Sequence, residues 1–159
     1  MGVSGSGKTT IGKLLAEHSG LPFFDGDDFH PAENIEKMQS GNPLNDDDRL
    51  GWLTAINHHA RQEVGQHGAI YACSALKASY RRILSEGIGH KVAWVFLKGD
   101  YDLIRSRLEA RKAHFMPPAL LQSQFDALEF PEEAFSADLN LTPETIVGQI
   151  LEFFQFGKI

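Results

Sequence analysis

Apolar residues recur at helical spacing along most of the chain, and short unbroken apolar runs separate the helical stretches. Ile11, Leu14 and Leu15 share one face of a helix predicted over Lys8 to Ser19, with Gly20 placed to end it. Leu21 to Phe24 is a short apolar run that suits a buried strand, and Pro31 to Gln39 reads as a short helix closed by Gly41. A longer helix is predicted over Asp46 to Gln66, with Leu50, Leu53, Ile56 and Ala60 facing the core. Ala69 to Ser74 and Val92 to Leu97 are the clearest strands, apolar on both faces as a parallel sheet requires. Helices follow over Ala75 to Glu86, Tyr101 to Lys112 and Pro118 to Leu128. A weak last strand over Asp138 to Leu141 and a helix over Pro143 to Phe154 complete the chain. Strands alternating with helices make an α/β fold. The 159 residues carry no repeat, linker or charge block, so the whole chain, 1–159, reads as one domain.

The first eight motif positions carry chemistry. Gly2-Val3-Ser4-Gly5-Ser6-Gly7-Lys8-Thr9 fits G-x-x-x-x-G-K-[ST] throughout, and a helix starts on cue behind it. Glycines let consecutive N–H groups curl around phosphate oxygens, and the helix adds its positive N-terminal end. Gly2 to Thr9, with Thr10, are therefore the expected nucleotide contacts. Lys8 is expected to reach the β- and γ-phosphates, and the Thr9 hydroxyl to ligate Mg²⁺. This motif ordinarily follows a buried strand, yet only Met1 stands before Gly2. The expectation is that an apolar strand of ~5 residues, central in the sheet, precedes Met1 in the natural protein.

Asp25-Gly26-Asp27-Asp28-Phe29-His30 comes directly after the predicted strand Leu21 to Phe24, at the sheet edge where open α/β folds hold ligands. Phosphoryl transfer needs one carboxylate behind the metal's water and another on the acceptor hydroxyl. Asp25 and Asp27 suit these roles if strand geometry persists, since both then point the same way.

Composition narrows the acceptor side. Hydrophobic residues make up 42% and charged residues 23%, and the formal net charge is −6. A negative balance disfavours non-specific binding to nucleic acid or anionic membrane, so an anionic ligand needs a local cluster of cations. Arg49, Lys77, Arg81, Arg107 and Arg111 sit where loops return to the same edge, the last two four apart on one helix face leading to His114. No apolar stretch is long enough to cross a membrane as a helix, and the only cysteine, Cys73, cannot form an internal disulfide, which is compatible with the expected reducing, cytoplasmic setting. His58 and His59 diverge on a helix and lack zinc spacing. No Asn-Lys-x-Asp stretch is present to read guanine, which argues against a GTPase-type switch.

Taken together these segments resemble the small gluconokinases. The resemblance runs collinearly from the phosphate loop through Asp25 to Pro31, Asn34 to Met38, Pro43 to Arg49, Trp52-Leu53, Cys73 to Lys77, Tyr80-Arg81 and Leu97 to Gly99. It continues through Arg107-Leu108, Arg111, His114 to Pro117 and Leu120 to Phe125, and ends at Leu128-Glu129. The PLNDDDR, CSALK and HFMPPxLLxSQF stretches are the specific ones; the phosphate loop is common to many enzymes. One departure is Ala113, where the family carries Gly before its His-Phe pair; the expectation is a stiffer hinge for the lid, since Ala does not enter positive φ freely.

The resemblance implies the P-loop three-layer sandwich of shikimate kinase and nucleoside-monophosphate kinases: a parallel sheet with the first strand central, helices on both faces, and a helical lid at about 107–128. It implies ATP-dependent phosphorylation of D-gluconate to 6-phospho-D-gluconate with Mg²⁺, by direct transfer to the terminal hydroxyl. By position, Lys8, Asp27, Arg107 and Arg111 would be catalytic, and Asp25 would hold a water on the metal beside Thr9. Asp27, His30, Arg49, Lys77, Arg81 and His114 would contact gluconate. A homodimer is also suggested. The alternatives are another small-metabolite kinase of the shikimate kinase type, or an ATP-binding module without catalysis.

Overall fold

The computed structural model describes residues 1–110 and 118–155. In chain order the elements are α1 (Lys8–Ser19), β1 (Phe23–Asp25), a 3₁₀ turn (Gly26–Phe29), α2 (Ala32–Gln39), α3 (Asp46–Val64) and β2 (Ile70–Ala72). Then come α4 (Ala78–Leu84), a second 3₁₀ turn (Gly89–Lys91), β3 (Val95–Lys98), α5 (Tyr101–Glu109), α6 (Pro118–Ala127), β4 (Phe135–Asp138) and α7 (Pro143–Phe153). Local signals set several boundaries. Gly20 ends α1 with φ 74°, and its N–H bonds the Ala16 carbonyl. Asn45 starts α3 with a reciprocal capping box to Asp48, and three aspartates lie on the positive helix end.

The strands pair in parallel, β1 with β2 (Phe23 opposite Ile70, Asp25 opposite Ala72) and β3 with β4 (Val95 opposite Phe135, Lys98 opposite Asp138). The start of the chain lies between the two pairs. Leu97 N–H donates to the Met1 carbonyl at 3.0 Å, and Gly2 N–H donates to the Ser74 carbonyl at 3.1 Å. The order across the molecule is therefore β1, β2, Met1–Gly2, β3, β4, and β2 does not pair with β3. This matches the expected central place of the first position in the sheet, here between β2 and β3. Beside Met1, between the pairs, an apolar cavity of about 370 Å³ is lined by Ile56, Tyr71, Val95, Leu97 and Ile150 among others.

Two apolar clusters hold the layers together. Val3, Ile11, Leu97, Ile104, Leu121 and Ile146 anchor one, and Trp52, Leu53, Ile56, Cys73, Tyr80 and Phe96 anchor the other. Val3 belongs to the core, so the phosphate loop is fastened by its own side chain. Among the described residues no helix is long and apolar enough to cross a membrane.

Some expectations need correcting. Leu50 is 52% exposed, because the buried face of α3 is carried by Trp52, Leu53, Ile56 and Asn57. The last strand lies at Phe135–Asp138 rather than Asp138 to Leu141. Asp138 instead turns the chain by accepting from Asn140 N–H at 2.9 Å, and Leu139 N–H still reaches the Lys98 carbonyl. The helix expected from Ala75 begins at Ala78, since Ala75 adopts φ 46° and folds the preceding residues into a loop.

Candidate active site

The phosphate loop runs from the chain start into the N-terminus of α1. Gly5 (φ 80°) and Gly7 (φ 88°) take left-handed conformations, and a Cβ on Gly5 would fall 2.7 Å from Leu108 Cγ. Gly7 caps α1 without a side-chain hydrogen bond, so no side chain occupies that helix end. Lys8 Nζ donates to the Gly2 and Val3 carbonyls at 3.1 and 3.0 Å, which folds the ammonium back over the loop. Ser6 is fully buried, and its hydroxyl has no hydrogen-bond partner. An orphan buried hydroxyl within a glycine-rich loop is a polar group that a bound anion could satisfy.

Thr9 Oγ1 donates to Asp25 Oδ2 at 3.0 Å. Strand geometry does not persist beyond Asp25: its Oδ1 accepts from Asp27 N–H at 3.2 Å and starts the 3₁₀ turn. Asp25 and Asp27 are thus separated by a turn rather than aligned on a strand. Asp25 faces the loop threonine, and Asp27 is carried forward on the turn. Among the described residues no three His, Cys, Asp or Glu side chains gather as a metal cage. A hydroxyl beside one carboxylate fits Mg²⁺ all the same, because that ion takes most of its ligands from water and substrate phosphates.

Trp52 fixes the acidic turn. Its indole Nε1 donates to the Gly26 carbonyl at 2.6 Å, and its ring stacks on His30 at 4.3 Å between centroids. Gly26 itself has no room for a side chain, since a Cβ there would lie 2.7 Å from the Ala72 carbonyl oxygen. Burial holds the His30 imidazole below its ordinary pKa, against the pull of Asp27.

The acceptor-side cations meet around Tyr80. Lys77 Nζ donates to both carboxylate oxygens of Asp46, at 2.8 and 2.9 Å, and the Tyr80 hydroxyl donates to the same group. These bonds hold Asp46 below the usual carboxylate range and raise Lys77. Arg49 Nη1 donates to the Leu44 carbonyl at 2.8 Å and lies 3.5 Å from the Tyr80 hydroxyl. Arg81 is used differently: Nη1 donates to the Ala75 and Leu76 carbonyls at 2.9 and 3.0 Å, which holds the left-handed loop closed. Arg107 Nη2 donates to the Leu139 carbonyl at 2.5 Å. Arg111 and His114 lie outside the described residues. Cys73 is buried, with its thiol pushed up to about 11 by desolvation, which makes it a packing residue at neutral pH.

Three residues of this region escape sequence reasoning. Trp52 reads as one more apolar helix position, Gln124 as an ordinary helix polar group and Glu129 as a polar residue after the helix. Yet Gln124 Oε1 accepts from Ser4 N–H at 2.6 Å, and Glu129 Oε2 accepts from Ala78 N–H at 2.6 Å. Only the polar tip of Trp52 offered a signal, since a buried indole N–H seeks an acceptor.

Comparison with known proteins agrees with this geometry. Residues 4–151 match the family described as shikimate kinase. The thermoresistant gluconokinase of Escherichia coli (strain K12) is 42% identical over 163 residues, covering 99% of this chain and 93% of that protein. The crystal structure of a gluconokinase from Sinorhizobium meliloti 1021 superposes with a TM-score of 0.84 at 39% identity, over 100% of this chain and 95% of that one. An unliganded sugar kinase from Janibacter sp. HTCC2649 gives 0.89 at 40% identity, over 99% and 92%.

Proposed function

The chain belongs to the shikimate kinase family and, within it, to the gluconokinases, and from that premise we propose how its residues divide the ATP-dependent phosphorylation of D-gluconate. The observation that carries the reading is the contiguity of three elements. The phosphate loop meets the acidic turn through Thr9 and Asp25, and that turn meets α3 and the end of β2 through Gly26. Donor and acceptor groups thus share one edge of the sheet.

The loop amides and Lys8 hold the ATP phosphates and neutralise charge on the γ-phosphoryl as it moves to the terminal hydroxyl. Thr9, and Asp25 through a water, would hold Mg²⁺, whose chemistry is to screen the β- and γ-oxygens. Asp27 orients and deprotonates the acceptor hydroxyl. Arg49 and Lys77 take the gluconate carboxylate, with His30 and His114 on its hydroxyls. Arg81 shapes that pocket through the Ala75–Leu76 carbonyls. Arg107 and Arg111 belong to a lid at about 107–128 that excludes water and so prevents idle hydrolysis. One kinase domain spans 1–159. The resemblance supports a homodimer, and the single buried thiol of Cys73 suits a cytoplasmic protein.

A coupled ADP-release assay over gluconate, glucose and shikimate tests the reading. One charge-assisted pair on the carboxylate contributes ~1.5–3 kcal/mol, so kcat/KM for gluconate should exceed that for glucose by about 10- to 150-fold. Equal rates on glucose, or faster turnover of shikimate, would overturn it.

A further inference from the structure

Gln124 sits half-buried on α6, and its side chain reaches the phosphate loop across 120 residues of sequence. The loop group it holds, Ser4 N–H, directly follows the Val3 carbonyl on which the Lys8 ammonium rests. Lys8 serves the β- and γ-phosphates, so Gln124 grips the loop at its terminal-phosphate end. Five residues further on, Glu129 grips the acceptor side. Its carboxylate accepts from Ala78 N–H, and its own N–H donates to the Leu76 carbonyl at 2.9 Å, on either side of Lys77. The connecting segment is well seated: Phe125 and Leu128 pack against the apolar core, and the Phe125 ring lies 5.6 Å from that of Tyr101 on α5.

We propose that Gln124 is a positioning residue for phosphoryl transfer, which sets the terminal-phosphate end of the loop at a fixed distance from the acceptor loop through the short segment from Gln124 on α6 to Glu129 just past its end. This rests on the kinase reading above. A glycine-rich loop has little stiffness of its own, whereas transfer requires the reacting atoms to be held at ~3–3.5 Å. A carboxamide is suited to the position. It accepts the Ser4 hydrogen bond as a carboxylate would, but brings no negative charge against a polyanionic phosphate. The same short segment then gives the acceptor loop a reference point that moves with the donor.

Two variants of the full chain test this, Gln124→Glu and Gln124→Ala. Calorimetric titration with ATP and with ADP, without any acceptor, reads the first. Glu keeps an acceptor oxygen for Ser4 but adds charge at the γ-phosphate end, so ATP affinity should fall about tenfold or more while ADP affinity changes less than about threefold. Steady-state kinetics read the second: kcat with gluconate should drop ~10- to 100-fold, with the gluconate KM within about threefold of wild type. Equal losses of ATP and ADP in Gln124→Glu, or an unchanged kcat in Gln124→Ala, overturn the proposal. So does a collapse of the melting temperature in both variants, which assigns Gln124 to folding. The nucleotide arm uses no gluconate. A wild-type protein inactive on gluconate would therefore defeat the substrate assignment while leaving that arm to decide the role of Gln124.

Discussion

Trp52 and Gly26 are joined by a 2.6 Å hydrogen bond from indole Nε1 to the backbone carbonyl, which ties α3 to the acidic turn. The contact is buried, and the same indole stacks on His30. A turn carrying Asp27 thus owes its position to a helix that begins some twenty residues later. Trp52→Phe keeps a ring against His30 but leaves the Gly26 carbonyl unpaired. The expected loss is ~1–3 kcal/mol of stability, with a raised gluconate KM; denaturant unfolding and kinetics measure the two. An unchanged midpoint would show that the bond contributes nothing.

Lys8→Ala should leave the fold intact and reduce turnover ~10²-fold or more if Lys8 has its proposed role, meeting charge that spreads during transfer. Turnover near the wild-type value would contradict the loop assignment.

Asp27→Asn should lower kcat far more than ATP affinity, since Asp27 stands forward on the 3₁₀ turn, whereas Asp25 faces Thr9. Lost ATP binding with surviving turnover would assign the residue to the nucleotide instead.

Arg81→Ala removes the donor from two backbone carbonyls that close a loop holding Ala75 at φ 46°. Bonds from a charged donor contribute ~1.5–3 kcal/mol each in protected sites; Arg81 is only partly buried, so a total nearer 2 kcal/mol is expected, roughly. Stability should fall and the gluconate KM rise together. A raised KM with no change in stability would show that Arg81 touches substrate rather than shaping the pocket.

His30 predicts a pH dependence. Burial depresses its pKa below the ordinary 6.5, so the unfolded chain binds more protons in the window just under 6.5. Stability therefore rises with pH through that window and is lost as the solution is acidified. Melting temperatures taken at pH 7 and pH 5 should fall more for wild type than for His30→Gln. An equal fall in both would show that the acid sensitivity belongs to other groups.

What the sequence determined by itself is whatever depends on neighbours a few residues apart. Gly5 and Gly7 curl the loop into left-handed turns through their own dihedrals, which glycine enters freely. Gly20 ends α1, and Asn45 with Asp48 starts α3, through bonds that span four residues or fewer. The alternation of helix and strand needs only periodicity, so the α/β class was legible as well. Boundaries were less so where a turn and a strand compete: Asp25 ends β1 because its carboxylate captures the Asp27 amide, a choice the Asp-Gly-Asp spelling leaves open.

Tertiary structure decided which polar groups are spent and which remain to act. Arg49, Lys77, Arg81 and Arg107 look alike along the chain. In the fold Arg49, Arg81 and Arg107 each donate to a backbone carbonyl, Arg49 also lies beside the Tyr80 hydroxyl, and Lys77 is paired with Asp46. Gln124 and Trp52 carry no local mark of their partners, Ser4 and Gly26. The reason is physical: a side-chain bond to a distant backbone group depends on where packing brings that group, and the pattern of residues around the side chain does not encode it.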